Sequence, residues 1–315
     1  MHLILNDLSS QFPVANQYQA REVMTVFLKA YQAARSVTGS SNLIVDRDYN
    51  HISLAVGYCI EQWRNDHAVD IEDKRVFRSL IQRSDTYDSF PIEDTSEFNV
   101  DSCECFSTGC QLAYLLSGCC LSFLCHKKWD VPFIKGRYRF LNEDTDQIDD
   151  QEACVPNIAS WETAAVFSQT YGEKVKQESR ASFTSGEDIL NRANEFPNLS
   201  FCENAKTQLL AERGRYSVSQ IARRLIELQK YFETAVGAFD AQQLNHCTPE
   251  SKATLEQYKL AHTFQLPNGK KELFSWHLRF TGEYAGRIFF YPDMASKKCY
   301  IGHVGSKLPS VEYPT

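Results

Sequence analysis

At 315 residues, with 43% hydrophobic and 23% charged side chains, the chain is long enough for two domains and has the composition of ordinary globular protein, which excludes disordered and fibrous classes. No stretch reaches the roughly 18 apolar residues of a membrane span. The net charge of -7 is unevenly spread, -11 over residues 1–195 and +4 over residues 196–315, so the second half is the one suited to a polyanion.

The opening MHLILNDLSSQFPV has no basic leader and does not read as a signal peptide; a cytoplasmic location and no membrane partner are expected. QYQAREVMTVFLKAYQAARSV carries Val23, Met24, Phe27, Leu28 and Tyr31 at helical spacing. NLIVDRDY and HISLAVGY read as two strands around a turn at Asp48–Asn50. DIEDKRVFRSLIQRS reads as a helix with acids first and bases last, burying Val76, Phe77, Leu80 and Ile81. CQLAYLLSG reads as a short helix ended by Gly118, CLSFLC and GRYRFL as strands, and the acidic NEDTDQIDDQE as a solvated loop. Residues 1–155 are thus expected to form an acidic mixed α/β domain.

Six cysteines (Cys103, Cys105, Cys110, Cys119, Cys120 and Cys125) crowd into one stretch. Their spacing lacks the two CxxC-type pairs of a structural zinc site, so they read as reduced, buried thiols, and no metal or other cofactor is expected. Asp46, Asp48 and Glu61 are the carboxylates a metal nuclease would use, but Asp-x-Asp at a turn is ordinary turn chemistry and no lysine partner is evident.

Residues 156–195 read as a polar helical connector, with Thr184 or Ser185 capping a helix in TSGEDILNRANEF. After Pro197 come a short strand (NLSF), a helix (CENAKTQLLAERG) and a longer amphipathic helix with Ser217 or Ser219 as cap and Ile221, Leu225, Leu228 and Phe232 inward. A polar excursion over 240–262 precedes three strands: ELFSWHLRF, GRIFFYPD and KKCYIGHVG. The expectation is an α+β chain of two domains, the second a strand, a helical hairpin and an antiparallel meander.

Three pieces of this second domain resemble the RelE/HigB/ParE toxin superfamily. One is the NLSFCENA strand leading into the helical hairpin. Another is Gly286-Arg287-Ile288-Phe289-Phe290-Tyr291, similar to a Gly-Tyr-Arg-apolar-apolar-Tyr strand. The last is the terminal spacing of Gly305, Lys307 and Tyr313. The resemblance covers residues 196–315. It implies metal-independent RNA cleavage in which the 2′-hydroxyl attacks the adjacent phosphate, a reaction needing a base, cations and a proton donor.

On that resemblance Arg287 is the phosphate clamp, Lys307 stands where the family has an arginine, and Tyr313 matches a terminal tyrosine that stacks on a base or assists proton transfer. Ser275 and His277 fall where RelE places lysines, and His277, Arg279 and His303 are candidates to replace them. Residues 277 and 279 share one face of a strand. Lys270, Lys271, Lys297 and Lys298, at turns, are candidate RNA-backbone contacts.

The implied function is a RelE-like endoribonuclease, a growth-inhibiting toxin or defence effector. Its partner would be RNA, free or on the ribosome, and its N-terminal domain would regulate or target it, or receive an antitoxin. Two alternatives stand beside it: a non-catalytic ParE-like interaction protein, and a metal-dependent nuclease in the N-terminal half.

Overall fold

The computed structural model describes residues 1–40, 42–92, 96–142, 147–180, 182–311 and 314. It is of mixed α and β architecture and divides into two compact units. The first comprises Met1–Phe90, Asp94–Phe140 and Ile148–Ala181, and the second Pro91–Glu93, Leu141–Gln147 and Ser182–Thr315.

The first unit runs β1 (Leu3–Leu5), α1 (Gln17–Thr38), β2 (Leu43–Val45), β3 (Ser53–Ala55), β4 (Tyr58–Cys59), α2 (Ile60–Asn65), α3 (Ile71–Ile81) and β5 (Asp85–Thr86). It continues with β6 (Ser96–Val100), β7 (Cys105–Phe106), α4 (Thr108–Leu115), β8 (Cys119–Leu121), β9 (Phe133–Asn142), β10 (Gln147–Ile158) and α5 (Trp161–Arg180). Eight strands lie in the order β5-β2-β1-β8-β10-β9-β6-β7. The five from β5 to β10 are parallel. β1 is central, and the chain steps outward to one side and then to the other.

Helix α1 forms as its spacing predicts, started by the Asn16 side chain and stopped by Gly39 in the left-handed region. It buries Met24, Phe27 and Leu28 in a core with Leu3, Trp63, Phe77 and Leu121, and Phe27 stacks on Phe123 at 4.3 Å. Each such side chain contributes roughly 1.5–3 kcal/mol by leaving water. At the carboxyl ends of the parallel strands, Asn6 Nδ2 donates to Ser122 Oγ (2.9 Å), and Ser122 Oγ donates to Asn157 Oδ1 (2.6 Å). Asn157 Nδ2 donates to the Trp129 and Val131 carbonyls. This buried chain ties strand ends together.

Three local expectations need correction. NLIVDRDY and HISLAVGY do not pair with each other: β2 joins the parallel sheet, and β3 pairs with β4. Helix α4 stops at Leu115, before Gly118; that glycine lets the chain run against β1, where a Cβ would lie 2.4 Å from Ile4 Cδ1. From Gln147 the acidic stretch is strand β10, largely exposed over its first half; residues 143–146 lie outside the described ones.

The second unit contains α6 (Gly186–Asn191), β11 (Leu199–Phe201), α7 (Glu203–Ala211), α8 (Arg215–Thr234), β12 (Cys247–Pro249), α9 (Lys252–Gln257), β13 (Thr263–Gln265) and β14 (Lys271–Leu273). The strands β15 (Trp276–Thr281), β16 (Ala285–Asp293) and β17 (Lys298–Ser306) complete it. Of the stretch read as a connector, α5 falls in the first unit and α6, capped by Ser185, in the second. The expected strand, helix pair and three-stranded meander are present, but the stretch ELFSWHLRF is broken at Phe274–Ser275: Glu272 and Leu273 belong to β14, which pairs with β13 apart from this sheet, and the meander begins at Trp276. The sheet order is β11-β17-β16-β15-β12, with β11 parallel to β17 and the other pairs antiparallel.

α8 starts earlier than the serines suggested. Its first turn is capped from outside by Glu283, whose carboxylate accepts from the Tyr216 N–H (2.9 Å) and the Ser217 N–H (2.7 Å). Its Val218, Ile221, Leu225, Leu228 and Phe232 pack on Leu278, Phe280, Ile288 and Phe290.

Candidate functional site

Alternation along β15, β16 and β17 sends one set of residues into that core and the other set to the opposite face. The opposite set includes His277, Arg279, Arg287 and His303. In register across the sheet, Thr248 pairs with His277, His277 with Phe289, and Phe289 with His303. The neighbouring row pairs Arg279 with Arg287 and Arg287 with Gly305. His277, Arg279, Arg287 and His303 are therefore brought together on one face. A bulge at Gly302 keeps both Ile301 in the core and His303 on the second face.

His277 is 1% exposed and Arg287 2%. Over them lie α9, the β13–β14 hairpin and the segment after β17. Leu266 and Phe274 pack on Phe289, with Leu308 beside them. The Phe274 N–H donates to the His262 carbonyl, and Val311 N–H donates to Thr254 Oγ1. Arg279 and Lys307 are only half-buried, so solvent meets this face on their side.

His277 Nε2 lies 2.9 Å from Thr248 Oγ1, while its buried Nδ1 makes no hydrogen bond. Burial, then the charges of Arg287, Arg279 and Lys307, hold its pKa well below the ordinary histidine value. It is a neutral imidazole among three cations. The neutral ring presents a lone pair that can accept a hydrogen bond, and such cations suit a phosphate, whose negative charge would oppose the lowering of the ring's pKa.

His303 is on the same face but already committed. Its Nε2–H donates to the Ser306 carbonyl (2.8 Å), which leaves Nδ1 to accept from Gln208 Nε2 (2.9 Å). Gln208 Oε1 in turn accepts from the Val304 N–H. Nδ1 thus ties β17 to α7 and Nε2 closes on the end of its own strand, and burial lowers the ring's pKa. His303 is a structural bridge in this conformation.

Lys307 follows β17 and lies close enough for its charge to bear on His277. Tyr313 lies outside the described residues. The four turn lysines sit at two hairpin tips: Lys270 pairs with Glu272, Lys271 is exposed, Lys297 is exposed at φ 51°, and Lys298 Nζ donates to the Pro197 carbonyl (2.6 Å).

Two members of the site lie in the stretch read as a polar excursion. His262 is fully buried, its ring 5.0 Å from Phe289, its Nε2–H donating to the Pro309 carbonyl (3.1 Å). Glu250 has an oxygen 4.0 Å from His277 Nδ1. Neither had a periodicity to reveal it, because both are placed by β12 and α9, elements too short to leave a pattern.

In the first unit, Asp46 Oδ1 accepts from the Asp48 N–H (2.7 Å), the turn chemistry its spacing suggests. All eleven cysteines are free thiols; Cys110, Cys119 and Cys120 are buried, while Cys103, Cys105 and Cys125 are half-buried. Among the described residues no group of three or more His, Cys, Asp or Glu is arranged to hold a metal ion, and no helix is long and apolar enough to cross a membrane. Comparison with family models, curated proteins and solved structures gave no match.

Proposed function

We propose that the second unit is a RelE-like endoribonuclease domain that cleaves RNA without metal, and that the chain is a growth-inhibiting toxin or defence effector. The first unit regulates or targets it, or receives an antitoxin. The observation that carries this reading is the pairing of Arg279 with Arg287 beside a neutral His277 on one sheet face. Arginine forks hold the phosphate and offset the charge that develops on it, while the imidazole takes the proton of the attacking 2′-hydroxyl. Lys307, at the half-buried edge, is the remaining cation and a proton donor for the leaving oxygen.

In this conformation His277 and Arg287 are covered, so a polymer reaches them only when the hairpin and the segment after β17 lift. The same burial favours a second reading, a non-catalytic domain that uses this fold to bind a protein or nucleic acid. Incubating the purified chain with RNA in EDTA separates the two. The first reading expects fragments ending in 2′,3′-cyclic phosphate and 5′-hydroxyl, lost in Arg287→Ala and His277→Ala. Intact RNA, with or without ribosomes, leaves the binding reading. A metal nuclease in the first unit would require Mg²⁺ and survive deletion of the second.

A further inference from the structure

Among the described residues, Glu250 is the only acidic residue that is buried, at 5% exposure. A carboxylate taken out of water is costly unless something beside it makes use of the charge. Glu250 is held in place by its backbone, its N–H donating to the Ser275 carbonyl (2.6 Å), and one carboxylate oxygen accepts from the Ser251 N–H (3.3 Å). The other oxygen lies 4.0 Å from His277 Nδ1. That nitrogen is buried and makes no hydrogen bond, while the far nitrogen of the ring meets Thr248 Oγ1. The carboxyl group and the hydroxyl thus flank the two nitrogens of one imidazole, and catalytic hydrogen bonds are often long before substrate closes them.

We propose that Glu250 is the positioning residue for His277: it selects the tautomer with the proton on Nδ1 and turns the Nε2 lone pair toward the substrate. The proposal rests on the ribonuclease reading for its catalytic half only. With Glu250 ionised, as this positioning role requires, the carboxylate has lone pairs and no proton to give, so the ring nitrogen facing it carries the hydrogen. Nε2 then accepts from the Thr248 hydroxyl, and a substrate 2′-hydroxyl takes the place of that hydroxyl. The 2′-proton moves to Nε2 and the 2′-oxygen bonds to phosphorus. The P–O5′ bond breaks, O5′ takes up a proton from Lys307, which regains one from solvent, and His277 returns its own to solvent.

The other groups facing His277 are Arg287 on β16, Arg279 on its own strand, Lys307 after β17 and His262 before β13, all of which oppose its protonation. Against them Glu250 is the negative charge that steadies the imidazolium while it exists.

The test is ¹⁵N NMR of the histidine rings in the full chain, with RNA cleavage measured in parallel. The wild type is expected to show His277 as the Nδ1–H tautomer. In Glu250→Met, an apolar replacement of similar size, the proton moves to Nε2, where Thr248 Oγ1 accepts it. Glu250→Gln lowers kcat at least ~10-fold with KM unchanged, and Glu250→Asp restores part of the loss. A wild-type Nε2–H tautomer, or the same tautomer in wild type and Glu250→Met, overturns the proposal without any need for activity. The Nδ1–H tautomer in a wild type that cleaves no RNA supports the pairing and removes the ribonuclease reading instead.

Discussion

Arg279 and Arg287 stand directly opposite each other across β15 and β16. Two guanidinium groups brought opposite each other favour an anion bound between them, so such an anion is expected to raise stability. Inorganic phosphate should therefore raise the melting temperature of the wild type, and raise it less in Arg279→Ala. RNA affinity of that variant, measured against salt, should fall ~10-fold, with a shallower salt slope.

The buried histidines make stability depend on pH. His277, His262 and His303 all have pKa values depressed by burial, His277 most strongly. In the unfolded chain they take up protons as pH falls through about 6.5, while in the folded chain they stay neutral. The unfolded state then binds more protons, so stability falls with falling pH below about 6.5. Urea midpoints at pH 7.5 and pH 5.5 should show this loss, and His277→Gln, folded in the same way, should show less of it.

Glu283 predicts a loss at more acid pH. Burial works against its ionisation, but hydrogen bonds from Tyr216 and Ser217 outweigh it and hold the carboxyl below its ordinary value of 4.5. A carboxylate lowered on folding contributes stability above the unfolded value, and that contribution is lost as pH falls through the lowered folded one. Glu283→Ala should cost about 1 kcal/mol at neutral pH, as losing a helix cap does, and should remove this part of the acid sensitivity. Denaturation curves at pH 7 and pH 3 check both points.

The cover over the site gives a mutation that acts as a wedge. A Cβ at Gly302 would lie 2.6 Å from Phe264 Cδ2 and 2.7 Å from Phe274 Cε1. Gly302→Ala should cost roughly 1–3 kcal/mol, the usual penalty of overpacking. If the hairpin is a lid over a nucleic-acid site, this variant should bind RNA more tightly than wild type despite being less stable. A fall in affinity that tracks the fall in stability would show that the cover is an integral part of the face.

Much of the site's framework was legible because β15, β16 and β17 have clear apolar alternation, and alternation alone puts His277 with Arg279 and Arg287 with Phe289. Register, and so the Arg279–Arg287 pairing, needed the structure. So did Glu250 and His262, whose segments are polar and whose burial comes from contacts with distant strands. His303 shows the opposite limit: it sits where its spacing suggested, but Gln208, on a helix 95 residues away, engages one of its nitrogens. In the first unit, two short apolar runs close in sequence read as a hairpin, yet β2 found its partners in β1 and β5. Local pattern marks strands; it does not name partners in a parallel sheet.

The account turns on chemistry at His277 and Arg287, and product-end analysis tests that most directly. Purified full-length chain should convert RNA, in EDTA, into fragments with 2′,3′-cyclic phosphate and 5′-hydroxyl ends, and Gly302→Ala should do so faster. Arg287→Ala and His277→Ala should yield no such ends while remaining folded. Failure of wild type and Gly302→Ala alike to cut or bind RNA, with or without ribosomes, would contradict it, as would cleavage that survives both alanine substitutions.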